Sequence, residues 1–528
     1  MRTVHDHVGD RSIYDLLEER AASYPDRTFV VFENRAGTVT EFTYRTFFEL
    51  VERCAQGLSV AGVRIGDFVL VHLTNCPEFL VSIFANAKLG AVLVPSNVAN
   101  TASELQHLVK VASPVLVVTE EKYLSTVLEG VKLSARPVTV VLARGDLDGA
   151  GTFAELLGAT GDSPRPRVSG DDLFELIFTS GTASKPKAVM LTHANCLQAG
   201  MHAVNCLWLD ENERCLTALP LFHVNAQAMS LFAALTVAGT LVLLEEFRAS
   251  KFWVQVRTHQ ATQTCLVAMQ LRTILTQAAN VDDRDHRVRR LFYAINVSDA
   301  EKERFEGRFD VTLINGYGCS EAMTLLTCSP VLGSRRWPSI GRPAVGRRIL
   351  LITEEGREAV AGEVGEVVVE GTPGRDIMLG YYGDDEETKK ALRDGRFYTG
   401  DSAYADDAGF FFFVDRKKNM IKRAGENVAA AEVEAVIVEH PDVLEACVLG
   451  VPDAIRDEAV VAVVVAEQSS GLTSEQVIEH CANRLSKFKV PSVVLFVPEL
   501  PKTSIGKVQR DQIVKMVGEL MAQGVANG

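Results

Sequence analysis

The strongest constraint on the fold is the alternation of short apolar runs with amphipathic helical ones through the first four hundred residues. The run "DFVLVHL" at 67–73 precedes the helical "CPEFLVSIFANAKLG" at 76–90, and the apolar runs "AVLVPSN", "PVLVVTE" and "VTVVLA" follow. This alternation is typical of βαβ units in doubly wound, mostly parallel sheets. The sequence therefore predicts an α/β fold with a large N-terminal domain of such sheets.

The pattern changes toward the C-terminus. The runs "RILLITEEG" and "GEVVVEG" predict a small β unit near residues 340–400, and after "GFFFFVDRKKN" the chain alternates short strands and helices. We expect an N-terminal domain over 1–416 and a small, mobile α+β domain over 417–528. The charged trio from Arg416 to Lys418 is the predicted hinge because it stands between the two patterns. Ser474 is the predicted N-cap of a C-terminal helix.

Composition excludes several classes of protein. A chain of 528 residues with 47% hydrophobic and 23% charged residues can bury a large core. Its net charge of −14 argues against a dedicated nucleic-acid surface, although a local pocket can still bind an anion. The ten cysteines have no metal-site or disulfide-framework spacing, and the charged N-terminus lacks an apolar signal core. These features predict a cytoplasmic protein without a membrane span.

The first motif is "LIFTSGTASKPKAVMLTHANC", which runs from Leu176 to Cys196. Its pattern predicts a strand, a polar loop and a helix that begins near Thr192. Backbone N–H groups, hydroxyls and Lys187 in such a loop favour a bound anion. It is not a GxxxxGK[ST] loop, and an ordinary polar connection is the alternative.

The second motif is "LINGYGCSEAMT", where a strand is predicted to run into a glycine-rich turn with Tyr317, Ser320 and Glu321. An aromatic ring can stack on a nucleobase, while a hydroxyl and a carboxylate can hold Mg²⁺ beside phosphates. The alternative is a plain turn with a surface glutamate.

Two further signals lie near the C-terminus. Asp401 is predicted in a turn and Arg416 just after a strand, and a carboxylate can hold both hydroxyls of a ribose. In "LPKTSIGKVQRDQ", Lys507 lies in a loop where its ammonium could reach a developing negative charge. An exposed lysine is the alternative for this position.

In this order and spacing, the motifs resemble the acyl-adenylate-forming superfamily, which comprises acyl- and aryl-CoA synthetases, adenylation domains and firefly-type luciferases. The resemblance extends from "EFTYRTFFEL" to "PKTSIGKVQR". The stretches "FYAINVSDAEKERFEGRF", "RRWPSIGRPAVG" and "NMIKRAGENV" look like the crotonobetaine/carnitine-CoA ligase branch.

The resemblance implies an acyl-CoA ligase that converts ATP and a carboxylic acid to an acyl-AMP and then transfers the acyl group to coenzyme A. The implied small molecules are ATP or acyl-AMP, Mg²⁺, CoA and a carboxylic acid, and relatives suggest a homodimer. Residues that match the family's nucleotide contacts are Thr179, Ser180, Thr182, Lys187, Asn315, Tyr317, Ser320, Asp401 and Arg416.

Other positions match the family's catalytic and CoA-binding features. Glu321 would hold Mg²⁺, Lys507 would bridge the carboxylate and α-phosphate, and Lys418 matches the hinge. His223 matches a gate between the acyl pocket and the CoA tunnel, with a core histidine as its alternative. Gly425 and Glu426 fall where the family turns a loop toward CoA.

The loop departs from the family pattern TSGTTGxPKGV at Ala183 and Ala188. Ala183 removes a hydroxyl whose bond to a phosphate would be worth about 1.5–3 kcal/mol. Ala188 would cost about 1–2 kcal/mol if its position required a left-handed backbone. A full ligase is the leading prediction. The alternatives are a non-adenylating ligase that works mainly on preformed acyl-AMP, an enzyme that loads a carrier protein, and an idle binding protein.

Overall fold

The structure is a computed structural model. It describes residues 8–145, 151–161, 164–179, 186–294, 297–416, 420–423, 426–453, 457–467, 470–485, 487, 489–502 and 508–522. At residues 324, 415, 416, 420, 422, 426, 427, 429, 457, 521 and 522 it describes the backbone alone.

The strands of the described chain, in sequence order, are β1 Thr28–Glu33, β2 Val39–Thr43, β3 Phe68–His72, β4 Val92–Pro95, β5 Leu116–Glu120, β6 Thr139–Arg144, β7 Gly151–Thr152, β8 Leu173–Thr179, β9 Lys187–Thr192, β10 Arg214–Thr217, β11 Thr240–Leu244, β12 Gln263–Val267, β13 Arg290–Ala294, β14 Thr312–Cys319, β15 Thr324–Cys328, β16 Arg342–Pro343, β17 Arg348–Ile352, β18 Gly365–Glu370, β19 Gly380–Tyr381, β20 Leu392–Arg393, β21 Arg396–Ala405, β22 Phe411–Arg416, β23 Met420–Arg423, β24 Glu426–Ala429, β25 Val443–Asp453, β26 Asp457–Ala466 and β27 Val493–Phe496.

The α-helices of the described chain are α1 Ile13–Ser23, α2 Tyr44–Val60, α3 Pro77–Leu89, α4 Ala102–Ala112, α5 Leu124–Val131, α6 Phe153–Gly158, α7 His193–Leu207, α8 Val224–Ala226, α9 Ala233–Val237, α10 Phe252–Thr258, α11 Ala268–Leu275, α12 Asp299–Phe309, α13 Asp385–Ala391, α14 Ala430–Val438, α15 Ser474–Ala482 and α16 Arg510–Ala522. A π-helical segment covers Gln227–Phe232, and 3₁₀ turns cover Glu121–Tyr123 and Ser320–Ala322.

The chain divides into two compact units. The first comprises Met1–Ile349, Val368–Tyr398 and Gly409–Phe411, and the second comprises Leu350–Val367, Thr399–Ala408 and Phe412–Gly528. The boundary expected between residues 416 and 417 stays a prediction.

Two large sheets form the first unit. One has the order β16-β15-β14-β13-β12-β10-β11-β1-β2, and the other β19-β9-β8-β4-β3-β5-β6-β7. Neighbours from β14 to β1 in the first sheet are parallel, as are those from β8 to β7 in the second. Antiparallel pairs occur at the margins. The predicted doubly wound α/β architecture is confirmed.

Local sequence explains the βαβ unit around β3 and α3. All five residues of β3 are buried, as expected for a strand covered on both faces. Pro77 stands at the start of α3, and Gly90 caps its end with a left-handed φ of 64°, in agreement with the preferences of these two residues. Every residue from Phe79 to Leu89 is buried. The helix is therefore part of the core.

A smaller sheet has the order β17-β18-β21-β20, with β22 beside β21. This sheet is the small β unit that the sequence predicts near residues 340–400. The later part of the second unit contains a sheet of order β24-β23-β26-β25, in which β27 runs parallel to β26. Its valine-rich core includes residues from α14 and α15. The predicted α+β pattern is confirmed.

The predicted N-cap of α15 is wrong by one residue. Thr473 is the cap, because its hydroxyl accepts from the backbone N–H of Gln476 while the Gln476 side chain accepts from the N–H of Thr473. This reciprocal arrangement is a capping box. The Ser474 hydroxyl instead donates to the carbonyl of Val494 at 3.2 Å.

Within the described part of the chain, no helix is both long enough and apolar enough to cross a bilayer.

Candidate functional site

The first motif forms the stems of a hairpin. Strands β8 and β9 pair antiparallel, with Thr179 opposite Lys187. The helix start predicted near Thr192 is confirmed, but strand β9 lies between the loop and α7, where the sequence predicted no strand. Thr192 caps that helix, as expected. Ser180, Thr182 and Ala183 lie outside the described residues.

Ala188 belongs to β9 and lies opposite Phe178. It is 4% exposed and belongs to a hydrophobic cluster with Leu70 and Leu176. A residue in a regular strand has an extended backbone. The conditional cost of a left-handed backbone at Ala188 therefore does not apply.

The second motif continues as a strand further than expected. Tyr317 lies within β14, not in a turn, and faces Thr327 of β15 across an irregularity in the register. Ser320 and Glu321 follow in a 3₁₀ turn. Asn315 and Tyr317 are two residues apart in one strand, which places them on the same face.

One aromatic side chain brings the two motifs together. The hydroxyl of Tyr381 donates to Oε1 of Glu321 at 3.0 Å. The Nζ atom of Lys187 lies 4.7 Å from the centre of the same ring. Tyr381 is in β19, which pairs with β9 opposite Val189. Burial and the Glu321 charge raise the pKa of Tyr381. The structure thus places a cation from one motif and a carboxylate from the other at one tyrosine.

Buried contacts fix the turn that carries Glu321. The backbone carbonyl of Glu321 accepts from the N–H of Met378 at 2.6 Å. The guanidinium of Arg347 donates to the carbonyls of Ala322 at 2.8 Å and Leu325 at 3.0 Å. Arg347 is 9% exposed. These contacts hold the backbone at Glu321 and in the residues that follow it.

A cavity of about 270 Å³ lies beside Asn315, with Ser329 and Trp337 among its lining residues. The amide of Asn315 donates to the carbonyl of Ser339 at 3.1 Å. The other residues that line the cavity are mainly basic: Lys302, Arg335 and Arg336, with Glu306 and Leu313. Because β14 also carries Tyr317, this polar and basic cavity is adjacent to the strand of the predicted adenine contacts.

His223 lies at the end of the loop 218–223, which we call the histidine loop. The buried side-chain amide of Asn75 clamps this loop. Its Nδ2 donates to the carbonyls of Leu219 and Leu244, each at 3.0 Å, and its Oδ1 accepts from the N–H of Leu221 at 2.9 Å. Burial lowers the pKa of His223 to about 4. The imidazole is therefore neutral at pH 7.

A second buried amide joins the histidine loop to β8. Nε2 of Gln227 donates to the carbonyl of Leu221 at 2.9 Å and to Oε2 of Glu175 at 3.2 Å. Glu175 is fully buried in β8, four residues before Thr179. Burial raises the pKa of Glu175 to about 8. The strand that leads into the first motif is thus tied to the loop that carries His223.

The ribose contacts stay predictions. Asp401 lies within β21, not in a turn, and is 3% exposed. Its backbone N–H donates to the Thr399 hydroxyl at 3.1 Å. Arg416 ends β22, but its side chain and that of Glu426 lie outside the described residues, as do Lys418, Gly425 and Lys507 entirely.

Five residues around the site were not predicted from the sequence: Asn75, Gln227, Arg347, Tyr381 and Glu387, whose carboxylate forms an ion pair with Lys187. Each acts through a partner far along the chain, so no local pattern marks it. Tyr381 and Glu387 lie in the tract "GYYGDDEETKK", an aromatic pair before an acidic segment, but nothing in its spacing links it to the first motif.

The chain matches known proteins over almost its whole length. The AMP-binding enzyme family profile matches residues 17–382, and the AMP-binding enzyme C-terminal domain matches residues 432–507. A crotonobetaine/carnitine–CoA ligase from Salmonella agona is 36% identical over 510 residues, which cover 95% of this chain and 99% of that protein. The Salmonella typhi ligase of the same name matches equally well.

Solved structures share the fold. ATP-bound MatB from Rhodopseudomonas palustris superposes with a TM-score of 0.84 at 25% identity, over 95% of this chain and 98% of that one. The anthranilate CoA ligase AuaEII in complex with anthranoyl-AMP has a TM-score of 0.86 at 23% identity, over 98% and 99% of the two chains. Together with the sequence matches, the expected class of AMP-forming acid–thiol ligase is confirmed. The chain belongs to the AMP-binding enzyme family.

Proposed function

We propose that the chain joins a carboxylic acid to coenzyme A in two steps through an acyl-adenylate. First, a carboxylate oxygen attacks the α-phosphorus of ATP and pyrophosphate leaves. Second, the CoA sulfur attacks the acyl carbonyl carbon, AMP leaves with the electron pair of the broken C–O bond, and the thiol proton passes to water. The observation that carries the proposal is the placement of Lys187 and Glu321 at the ring of Tyr381.

Electrostatics explains why that placement matters. A carboxylate that approaches a polyanionic nucleotide is repelled, so positive charge must be positioned where negative charge collects. Lys187 supplies one cation at the stem of the loop. Glu321 suits Mg²⁺, because one oxygen is oriented by Tyr381 and the other has no hydrogen-bond partner among the described residues. Mg²⁺ takes one or two carboxylates together with phosphates and water, and when bound it neutralises phosphate charge.

The remaining roles are proposed on the motif matches alone. The phosphates would be contacted by Thr179, Ser180, Thr182 and Ser320. Asn315 and Tyr317 would contact adenine. Asp401 and Arg416 would hold the ribose. His223 would separate the acyl pocket from the CoA tunnel. A neutral imidazole suits that position, because it places no positive charge beside the thiol of CoA. Lys507 would act only in adenylation, Lys418 at the hinge, and Gly425 and Glu426 at CoA.

A short, carnitine-like acid is the first substrate class to test. Its support is the 36% identity to ligases named for crotonobetaine and carnitine. Fatty acids and bulky biosynthetic acids are the competing classes, because the side chains that form an acyl pocket are dispersed along the sequence.

The experiment follows the two half-reactions separately. ATP–pyrophosphate exchange is measured with each class of acid, and thioester formation is measured from synthetic acyl-AMP and CoA. We expect exchange with one class and thioester formation from its adenylate. Lys507→Ala should abolish exchange and retain thioester formation. A chain that performs neither half-reaction with any class would contradict the proposal.

The same assays decide between the alternatives. Thioester formation without exchange would establish the non-adenylating ligase. The strand geometry of Ala188 weakens that alternative, because one of its two supporting departures carries no backbone cost. Transfer to a phosphopantetheinylated carrier protein but not to free CoA would establish a loading enzyme.

A further inference from the structure

Lys187 forms an ion pair that the sequence did not indicate. Its ammonium forms an ion pair with Oε2 of Glu387. The Oε1 atom of the same carboxylate accepts from Nζ of Lys390 at 2.7 Å. The hydrogen bonds from Lys187 and Lys390 lower the pKa of Glu387 to about 2. One carboxylate therefore holds two ammonium groups, one on each oxygen.

The helix that carries Glu387 is fixed against the loop stem. Asp384 caps α13 by accepting from the N–H of Glu387 at 3.0 Å. The Thr388 hydroxyl accepts from the N–H of Tyr381 at 2.9 Å. Gly380 permits this close approach, because a Cβ at that position would lie 2.9 Å from Thr388 and its φ is +151°. Glu387 is thus held at a defined place beside β9.

The two lysines differ in exposure. The Lys187 side chain is 18% exposed and Glu387 31% exposed, whereas Lys390 is 67% exposed. Lys187 also contacts the ring of Tyr381. Of the two cations, Lys187 is the one at the stem of the predicted phosphate loop, and Lys390 faces solvent.

Charge balance then limits what happens when a triphosphate enters the loop. If Lys187 turns to the phosphates, Glu387 loses one partner close to a polyanion, and like charges repel. Lys390 remains on the other oxygen and keeps the carboxylate neutralised. An exchange of partners by Lys187 therefore leaves no bare carboxylate next to the nucleotide.

We propose that Glu387 is a positioning residue that holds Lys187 in the empty enzyme and competes with the triphosphate of ATP for it, and that Lys390 weakens this hold by sharing the carboxylate. The idea rests on the proposed function, because it assumes that ATP binds at this loop. It assigns to α13 a part in setting ATP affinity.

Two neighbouring substitutions should shift ATP binding in opposite directions. Glu387→Gln removes the competitor, so the dissociation constant for ATP should fall roughly two- to fivefold, the scale of a partly exposed ion pair. Lys390→Gln leaves Glu387 with Lys187 alone, so the constant should rise by a similar factor. In the double variant Lys390 has nothing to modulate, and the constant should match that of Glu387→Gln.

Calorimetric titration of ATP into each intact protein, without acid or CoA, measures these constants. Glu386→Gln is the matched control, since it makes the same charge change one residue away, and among the described residues Glu387 is the carboxylate that pairs with Lys187. Titration of AMP, which lacks the β- and γ-phosphates, should give the same constant in all variants.

The outcomes separate the two ideas. Constants that shift in the same direction in both single variants, or as much in Glu386→Gln, would overturn the exchange while leaving the proposed function intact. A wild-type protein that binds no ATP would overturn the proposed function as well. A purely structural role for α13 would lower the melting temperature and affect AMP and ATP alike, which also contradicts the exchange.

Discussion

Gln227 donates a hydrogen bond to Glu175 over 3.2 Å and thereby ties the helix after His223 to strand β8. Burial raises the pKa of Glu175 to about 8. At pH 7 the carboxyl is therefore mainly protonated, which suits a fully buried group, because an ionised one would need a compensating charge. The hydrogen bond between Gln227 and Glu175 therefore joins two uncharged side chains at pH 7.

The raised pKa of Glu175 makes stability depend on pH. The folded protein holds this proton up to about pH 8, whereas an unfolded chain releases it near the ordinary value of 4.5. The contribution of Glu175 to stability is thus fully present below pH 4.5 and is lost as the pH rises to about 8. In Glu175→Gln this loss should disappear, so the variant's urea midpoint should exceed that of wild type increasingly from pH 5 to 8.5. The exposed Glu303→Gln is the control, and curves that stay parallel for Glu175→Gln would refute the assignment.

The clamp on the histidine loop should be energetically important. Asn75 makes three buried hydrogen bonds, to Leu219, Leu221 and Leu244. Asn75→Ala leaves those backbone groups without partners, at about 1–3 kcal/mol for each buried group left unsatisfied. Allowing for relaxation, we expect a loss of roughly 2–4 kcal/mol in the free energy of unfolding. Urea denaturation measures it, with the exposed Asn212→Ala as a control that should be nearly neutral. If Asn75→Ala lowers the free energy of unfolding no more than Asn212→Ala does, within experimental error, water replaces the hydrogen bonds of the amide and the clamp is refuted.

Much of the fold was readable because strands buried on both faces are continuous apolar runs. "DFVLVHL" became β3, and the run before the loop became β8. The short strands were harder. Lys187–Thr192 begins with a lysine that sequence reasoning assigned to the loop, and its pairing with β8 is a tertiary contact.

The site was readable only where one motif held the relevant types together. Glu321 and Lys187 were predicted as site residues from their own motifs, but their connection through Tyr381 depends on the pairing of β19 with β9. Asn75 lies more than a hundred residues from the loop it clamps. Contacts of this kind leave no periodicity or spacing in one sequence, so only coordinates reveal them.

The glycine before Tyr317 should tolerate no side chain. A Cβ at Gly316 would lie 2.6 Å from the Phe292 ring and 3.0 Å from the carbonyl of Thr327. Gly316→Ala should therefore cost about 1–3 kcal/mol of stability through overpacking, and it should weaken AMP binding by shifting Tyr317. Gly307→Ala is the matched control, because that exposed helical position has nothing within 4 Å of a Cβ and should gain about 0.5–1 kcal/mol. Unchanged AMP affinity in a destabilised Gly316→Ala would remove Tyr317 from the nucleotide contacts.

Restoring the family glycine at Ala188 should not improve adenylation. Ala188 occupies a strand opposite Phe178 and its methyl group is buried, so Ala188→Gly removes packing and adds backbone freedom at a total cost of roughly 1–2 kcal/mol. Ala462→Gly, a buried strand alanine in the second unit, should lose a similar amount. The rate of pyrophosphate exchange per folded molecule should stay within about twofold of wild type. This limit corresponds to a change of less than about 0.5 kcal/mol in the activation free energy of adenylation. A tenfold rise in exchange would mean that the alanine itself restrains the loop, and it would strengthen the alternative of a non-adenylating ligase.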